Sequence, residues 1–313
     1  MNTKNKKVTT RDGFGDALVE AGLQNEKIVV LSADLAESTR AHHFAKKFPN
    51  RFFEMGVAEE NMVGTAAGFA LGGKVPVTCS YAVFSPQNTM GPIRASICYS
   101  KLNVKIIGGH AGISTGPDGA THQALEDISL MRTLPNMVVL VPADYAEAKK
   151  ATLAMLKHHG PCYLRIGKHA DSPVTTSNTP FEIGRAVTLK EGKTVSIFSC
   201  GTMVAEALRA AEALDDHNIS TKVINMHTIK PFDLFAVLDA VSHSQLIITM
   251  EEHQISGGLG SAVAEVLAEL PTHPPLYRVG MHDTFGESGE GKELLQKYGL
   301  NAQAVVTFVL GEL

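Results

Sequence analysis

The sequence predicts an α/β protein of two domains, each with a mainly parallel sheet flanked by helices. Three observations carry that prediction. Short continuous runs of Val, Ile and Leu alternate with longer amphipathic segments, the pattern of parallel strands buried on both faces. At 313 residues the chain has room for two domains of ordinary size. A Ser/Thr/Pro-rich stretch, ADSPVTTSNTPFE at 170–182, reads as a linker between two such alternations.

In order, the first half reads as a helix near 12–23, a strand at 27–32 and a helix near 58–71. A strand at 75–79, a helix near 86–100 and a strand at 104–108 follow. A strand at 137–141, a helix near 143–157 and a strand near 162–166 complete it. The second half reads as strand 194–199, helix 203–214, strand 220–225, helix 234–242, strand 245–250 and helix 257–269, with short helices at the end. The expected boundaries are a first domain over 1–170, a linker over 171–188 and a second domain over 189–313. There is no internal repeat.

Composition narrows the function classes. With 44% apolar residues each half can build a core, and a formal charge of −4 favours neither nucleic acid nor an acidic membrane as partner. The basic start MNTKNKK has no apolar run behind it, so no signal peptide is expected, and no apolar run is long enough to suggest a membrane span. Cys79, Cys98, Cys162 and Cys200 form no CxxC pair. They suggest neither a zinc site nor a disulfide frame, and a reducing, cytoplasmic compartment is expected.

Chemistry concentrates in GHAGISTGPDGATHQ at 109–123, directly after an apolar strand. Glycines let this backbone turn sharply and approach a ligand. His110, Asp118 and His122 suit a polyhydroxylated, anionic substrate, because two imidazoles and a carboxylate bind hydroxyls and move protons near neutral pH. Gly56-Val-Ala-Glu59-Glu60 opens a helix rich in Ala and Gly. By itself Glu59 reads as a carboxylate favoured by a helix N-terminus. Tyr81 and Phe84, three apart after the strand KVPVT, form either a stacking wall or core filling. Arg11, Ser38 and Arg165 are scattered polar residues near strand and helix ends. The glycines at 257, 258 and 260 only partly meet a nucleotide-loop spacing and read as a tight turn.

These motifs together resemble the transketolase family, over about residues 8–310. H-x7-D-x3-HQ resembles its substrate loop, and G-V-A-E resembles its cofactor motif. The resemblance implies thiamine diphosphate, with Glu59 against N1′ of the aminopyrimidine, favouring the tautomer that lets the 4′-amino group deprotonate the thiazolium C2. A buried carboxyl group with a raised pKa would suit that role. It places Tyr81 and Phe84 in the aromatic cluster around that ring, with Gln87 where transketolases usually carry a third aromatic. It implies that Arg11, Ser38, His110 and Arg165 grip the substrate phosphate. It further implies that Asp118 binds a hydroxyl beside the carbonyl and that His122 contacts the donor.

The chain corresponds to the second half of a full transketolase and lacks the GDG motif that holds the diphosphate and its metal. The resemblance therefore implies a C-terminal subunit of a split enzyme that moves a two-carbon ketol unit from a ketose phosphate to an aldose. Magnesium or calcium would be bound by a separate N-terminal subunit, in a heterotetramer. The pathway is left open between the pentose phosphates and a specialised sugar such as apulose 4-phosphate or a sulfosugar. The alternatives are a 2-oxo-acid dehydrogenase β subunit, a deoxyxylulose-phosphate-synthase-like enzyme, and a non-catalytic regulatory subunit.

Overall fold

The computed structural model describes residues 8–169 and 172–313. The strands are β1 (Ile28–Ser32), β2 (Phe52–Glu54), β3 (Val75–Tyr81), β4 (Lys105–Gly109), β5 (Val138–Leu140) and β6 (Cys162–Arg165). They continue as β7 (Val187–Lys190), β8 (Val195–Ser199), β9 (Thr221–Asn225), β10 (Thr228–Lys230), β11 (Leu246–Gln254) and β12 (Leu276–Met281). Two sheets form. The first runs β10-β5-β6-β4-β3-β1-β2 and the second β12-β11-β8-β9-β7. Every pairing is parallel except β10 on β5 and β7 on β9. The expected two-domain α/β architecture is observed.

The strands form where apolar runs are buried on both faces: β1, β3, β4, β6 and β8 carry almost no exposed residue. Caps fix the helices between them. Thr9 and Asp12 make a capping box that starts the helix Thr10–Gln24, satisfying backbone N–H groups that a helix start leaves open. Asp144 caps the helix Tyr145–Lys157 by accepting the Glu147 N–H at 3.0 Å.

Two features depart from the expectation. The helix expected over 86–100 is instead an irregular helical segment between Val83 and Cys98, interrupted by the extended residue Ser85 and carrying Pro86 and Pro92. Proline lacks the N–H that a regular helix needs and disfavours helical backbone in the residue before it. Secondly, β10 follows the linker in sequence yet pairs with β5 in the first sheet, with Thr228 opposite Leu140. One apolar core accordingly joins the halves, with Val139 and Tyr163 packed in the same cluster as Phe198, Met226 and Ile229.

Candidate active site

The carboxyl ends of β6, β4, β3, β1 and β2 lie side by side, the edge at which α/β sheets hold ligands. The loops leaving those ends carry most of the sequence-predicted site. β2 leads to Gly56, whose φ of +67° turns the chain into the helix Glu59–Leu71 and puts Glu59 in its first turn. Glu54 pins this turn by accepting the N–H groups of Gly56 and Asp34 at 3.1 and 2.7 Å. Glu59 is half-buried rather than buried, and Ser80 donates its hydroxyl to Oε1 at 2.9 Å.

Tyr81 ends β3 opposite Gly109 of β4. Its ring lies 6.0 Å from that of Phe84, nearly parallel, and 4.0 Å from the imidazole of His110. His122 meets Phe84 edge-on at 5.4 Å. Tyr81, Phe84, His110 and His122 therefore form one wall of flat rings. Gln87 donates from Nε2 to Glu126 at 2.8 Å, while its buried Oε1 has no protein partner.

His110 adopts φ +52°, an uncommon backbone state for a residue with a side chain, and Thr115 holds it by donating to its carbonyl at 2.6 Å. Burial, reinforced by the charges of Arg11 and Lys168, pushes its imidazole down to a pKa of about 3. It is thus neutral at physiological pH, and its buried Nδ1 has no partner. Asp118 is exposed at the loop's far end and paired with Lys168 at 2.8 Å. Burial alone would raise its pKa, but the Lys168 bond and charge outweigh this and hold it below the ordinary carboxylate value.

Arg11 donates to the carbonyl of Ser38 at 3.1 Å, and its buried Nε has no partner. Gly167 and Thr10 are hydrogen-bonded at 2.8 Å, which brings Lys168 and His169 up to the helix start that carries Arg11. Burial, with the charge of Lys168 behind it, lowers the His169 pKa. The charges of Arg11 and Lys168 thus gather beside His110, at one side of the ring wall.

Arg165 is not among the cations facing that wall. It was expected to grip phosphate, yet it is buried, with Nε on Asp127 at 2.8 Å and Nη2 on the carbonyls of Ala124 and Glu252 at 3.3 and 2.9 Å. Burial works against its charge, but Asp127 and Glu252 more than offset this and raise its pKa. Asp127 and the carbonyls of Ala124 and Glu252 take up its donors inside the protein, so the guanidinium is committed there rather than presented to a ligand.

Ser80, Glu126, Lys168 and His169 were missed by the sequence reading. Only Lys168 and His169 left a visible signal, as adjacent basic residues just past the strand PCYLR. Among the described residues no cluster of three or more His, Cys, Asp or Glu is arranged to hold a metal ion, and no helix is long and apolar enough to cross a membrane.

A two-sheet α/β chain with a carboxylate, stacked rings and a His-Asp-His loop along one strand edge is the arrangement that the transketolase resemblance led us to expect. Comparison with known proteins agrees: "Transketolase, pyrimidine binding domain" matches residues 6–171, and "Transketolase, C-terminal domain" matches residues 184–305. The chain belongs to the transketolase family. It is 42% identical over 306 residues to a putative transketolase C-terminal section of Methanocaldococcus jannaschii, covering 97% of this chain and 96% of that one. It is 41% identical to the 6-deoxy-6-sulfo-D-fructose transketolase subunit of a Clostridium species, over 95% of this chain and 92% of the relative. A solved structure described as a split-gene transketolase in an inactive β4 tetramer superposes with TM-score 0.90 at 47% identity, covering 97% of this chain and 98% of that one.

Proposed function

We propose that this chain is the C-terminal subunit of a split thiamine-diphosphate-dependent transketolase, active with a second chain. That chain would carry the diphosphate-binding domain and its magnesium or calcium, and the pair would assemble as a heterotetramer in the cytoplasm. The reaction moves a two-carbon ketol unit from a ketose phosphate to an aldose acceptor. One observation carries this reading: the half-buried Glu59 carboxylate, with Ser80 on Oε1, shares a strand edge with the wall formed by Tyr81, Phe84, His110 and His122.

The residues present fit the cofactor's pyrimidine. Glu59 has a carboxylate oxygen free of Ser80, the Tyr81 and Phe84 rings offer flat apolar faces, and Gln87 Oε1 is a buried acceptor without a partner. Thiamine diphosphate, when bound, supplies the electron sink for cleaving the bond beside a carbonyl. This chain's residues bind and orient around it. Glu59 would hold the pyrimidine by sharing a proton with it through the carboxylate oxygen that Ser80 leaves free. Neutral His110 and the ring of His122 offer nitrogens that hydrogen-bond substrate oxygens. Asp118 accepts a substrate hydroxyl.

Arg11, Ser38, Lys168 and His169 take the anionic end of the sugar. The unpartnered Arg11 Nε and the cations around it suit a tetrahedral oxyanion, phosphate or sulfonate. The second reading kept open is a sulfosugar substrate. It is favoured by the 41% identical relative whose name specifies sulfofructose.

The test is ketol transfer by this chain with and without the candidate N-terminal subunit, supplied with thiamine diphosphate, magnesium, xylulose 5-phosphate and a panel of aldoses. Activity is expected only in the mixture, and Glu59→Gln is expected to abolish it while circular dichroism stays unchanged. Associated chains that decarboxylate a 2-oxo acid and transfer no ketol would establish the dehydrogenase or synthase alternatives instead. Wild-type rates in Glu59→Gln would remove Glu59 from the mechanism.

A further inference from the structure

The end of β11 carries three consecutive ionisable side chains, Glu251, Glu252 and His253, all buried. β11 pairs with β12 through Met250 and again at Gln254, and the register shift between them falls on these three residues. Such irregularities re-aim side chains beside functional sites.

Two of the three are absorbed where they stand. Glu251 accepts the N–H groups of Leu259 and Gly260, both at 2.7 Å, at the start of the next helix. His253 Nδ1 meets the carbonyl of Gln254 at 2.7 Å, and its Nε2 accepts the N–H of Ser129 at 3.3 Å.

Glu252 reaches instead into the substrate loop of the other half. Its Oε1 accepts the Ser114 N–H at 2.5 Å, and its Oε2 accepts the Thr202 hydroxyl at 2.7 Å. The loop is shaped around this carboxylate: a Cβ built on Gly112, whose φ is +90°, would lie 2.4 Å from it. The Glu252 carbonyl accepts from Arg165, which is itself held by Asp127. An apolar side chain would serve packing alone. A buried carboxylate is costly unless its hydrogen bonds are made, and here one of them captures a loop N–H.

We propose that Glu252 is a positioning residue for the substrate loop, through which the C-terminal domain sets the reach of His110 and Asp118. Ser114 lies midway between those two residues in sequence. Fixing its backbone fixes where both side chains emerge. Arg165 belongs to the same latch. The inference rests on the sugar-binding reading of the loop, and its test separates the two.

Glu252→Ala and Glu252→Gln are prepared in the full chain and assayed with the partner subunit. Misplacement by about 1 Å far from the reacting atoms costs roughly 100-fold. Glu252→Ala is therefore expected to lower kcat/KM for the acceptor by about 10- to 100-fold, while thiamine diphosphate affinity stays within about twofold. Glu252→Gln recovers most of the loss, because its carbonyl accepts the Ser114 N–H and its amide donates to Thr202.

Hydrogen exchange supplies a readout that needs no activity. Peptides spanning 109–118 lose protection in Glu252→Ala, and those spanning 78–87 do not. Unchanged exchange and unchanged kcat/KM in a folded Glu252→Ala would overturn the proposal. So would equal loss of acceptor use and cofactor affinity in both variants, which would mark general packing. If Glu252→Ala does not fold, Thr202→Val removes one tie and is expected to give an intermediate loss of loop protection. Wild-type protection there would equally overturn the proposal. A wild-type mixture without ketol transfer, but with the exchange change present, would sink the functional reading and leave the latch standing.

Discussion

At the scale of single residues, Arg165 is buried where the resemblance implied a phosphate contact, and Lys168, which the sequence did not single out, stands at the loop instead. Arg165 forms a buried pair with Asp127, so Arg165→Ala leaves a buried carboxylate without its cation. That is expected to cost about 3–5 kcal/mol in denaturant unfolding, without selectivity between acceptors. Lys168→Ala leaves the core intact. It is expected to raise KM for phosphorylated or sulfonated acceptors by about 10-fold and to spare neutral aldoses, since a hydrogen bond to a charged group is worth about 1.5–3 kcal/mol. The reverse pattern would return the anion contact to Arg165.

His110 offers a second check. Its folded pKa is pushed down to about 3, from 6.5 when unfolded. Below pH 6.5 the unfolded chain takes up a proton here that the folded chain refuses. Stability from this group is therefore present above pH 6.5 and is lost as pH falls toward 3, by about 1.4 kcal/mol per pH unit over that window. Histidine-labelled NMR should find the His110 ring neutral at pH 5; a ring titrating near 6.5 would contradict its burial.

Glu59, Tyr81, Phe84 and His110 were legible because each stands at or just past a strand end or at a helix start that the apolar pattern marks, and His122 because it belongs to the glycine-rich loop that follows β4. The fate of Arg165 was not legible. Its partner Asp127 lies 38 positions away, and only the folded chain brings the two together.

At the scale of elements, the long apolar runs announced themselves and the short mixed ones did not. β1, β3, β4, β6, β8, β9 and β11 fall within two residues of the expected strands at their starts, because each is buried on both faces. β11 runs four residues further, into the charged Glu251–His253 that no hydrophobic pattern would extend. β5 has three residues but sits in the apolar run MVVLV, whereas β2 and β10, equally short, have no such run around them. β12 mixes Tyr and Arg with its apolar residues and is half-exposed at its start. The segment 86–100 was expected to be a single helix. Its two prolines decide otherwise.

For the molecule as a whole, the shared core has a thermodynamic consequence. Tyr163 and Val139 from one side of the linker pack in the same cluster as Phe198 and Ile229 from the other. Contacts of that kind couple the unfolding of the two halves. Circular dichroism and hydrogen exchange should therefore report one cooperative transition in denaturant. Two transitions separated in midpoint would show that the halves melt independently.

The return of β10 to the first sheet bears on how such a chain can be divided. A gene cut within codons 170–182 would release one fragment with the edge of β5 bare and another with Thr228–Lys230 unpaired. An uncovered edge strand is a template for any other strand. The fragments would then recombine by strand complementation or, left apart, precipitate. The linker that looks like the natural seam in the primary structure is thus a hinge for reassembly, suited to a split reporter and ill suited to harvesting either half alone.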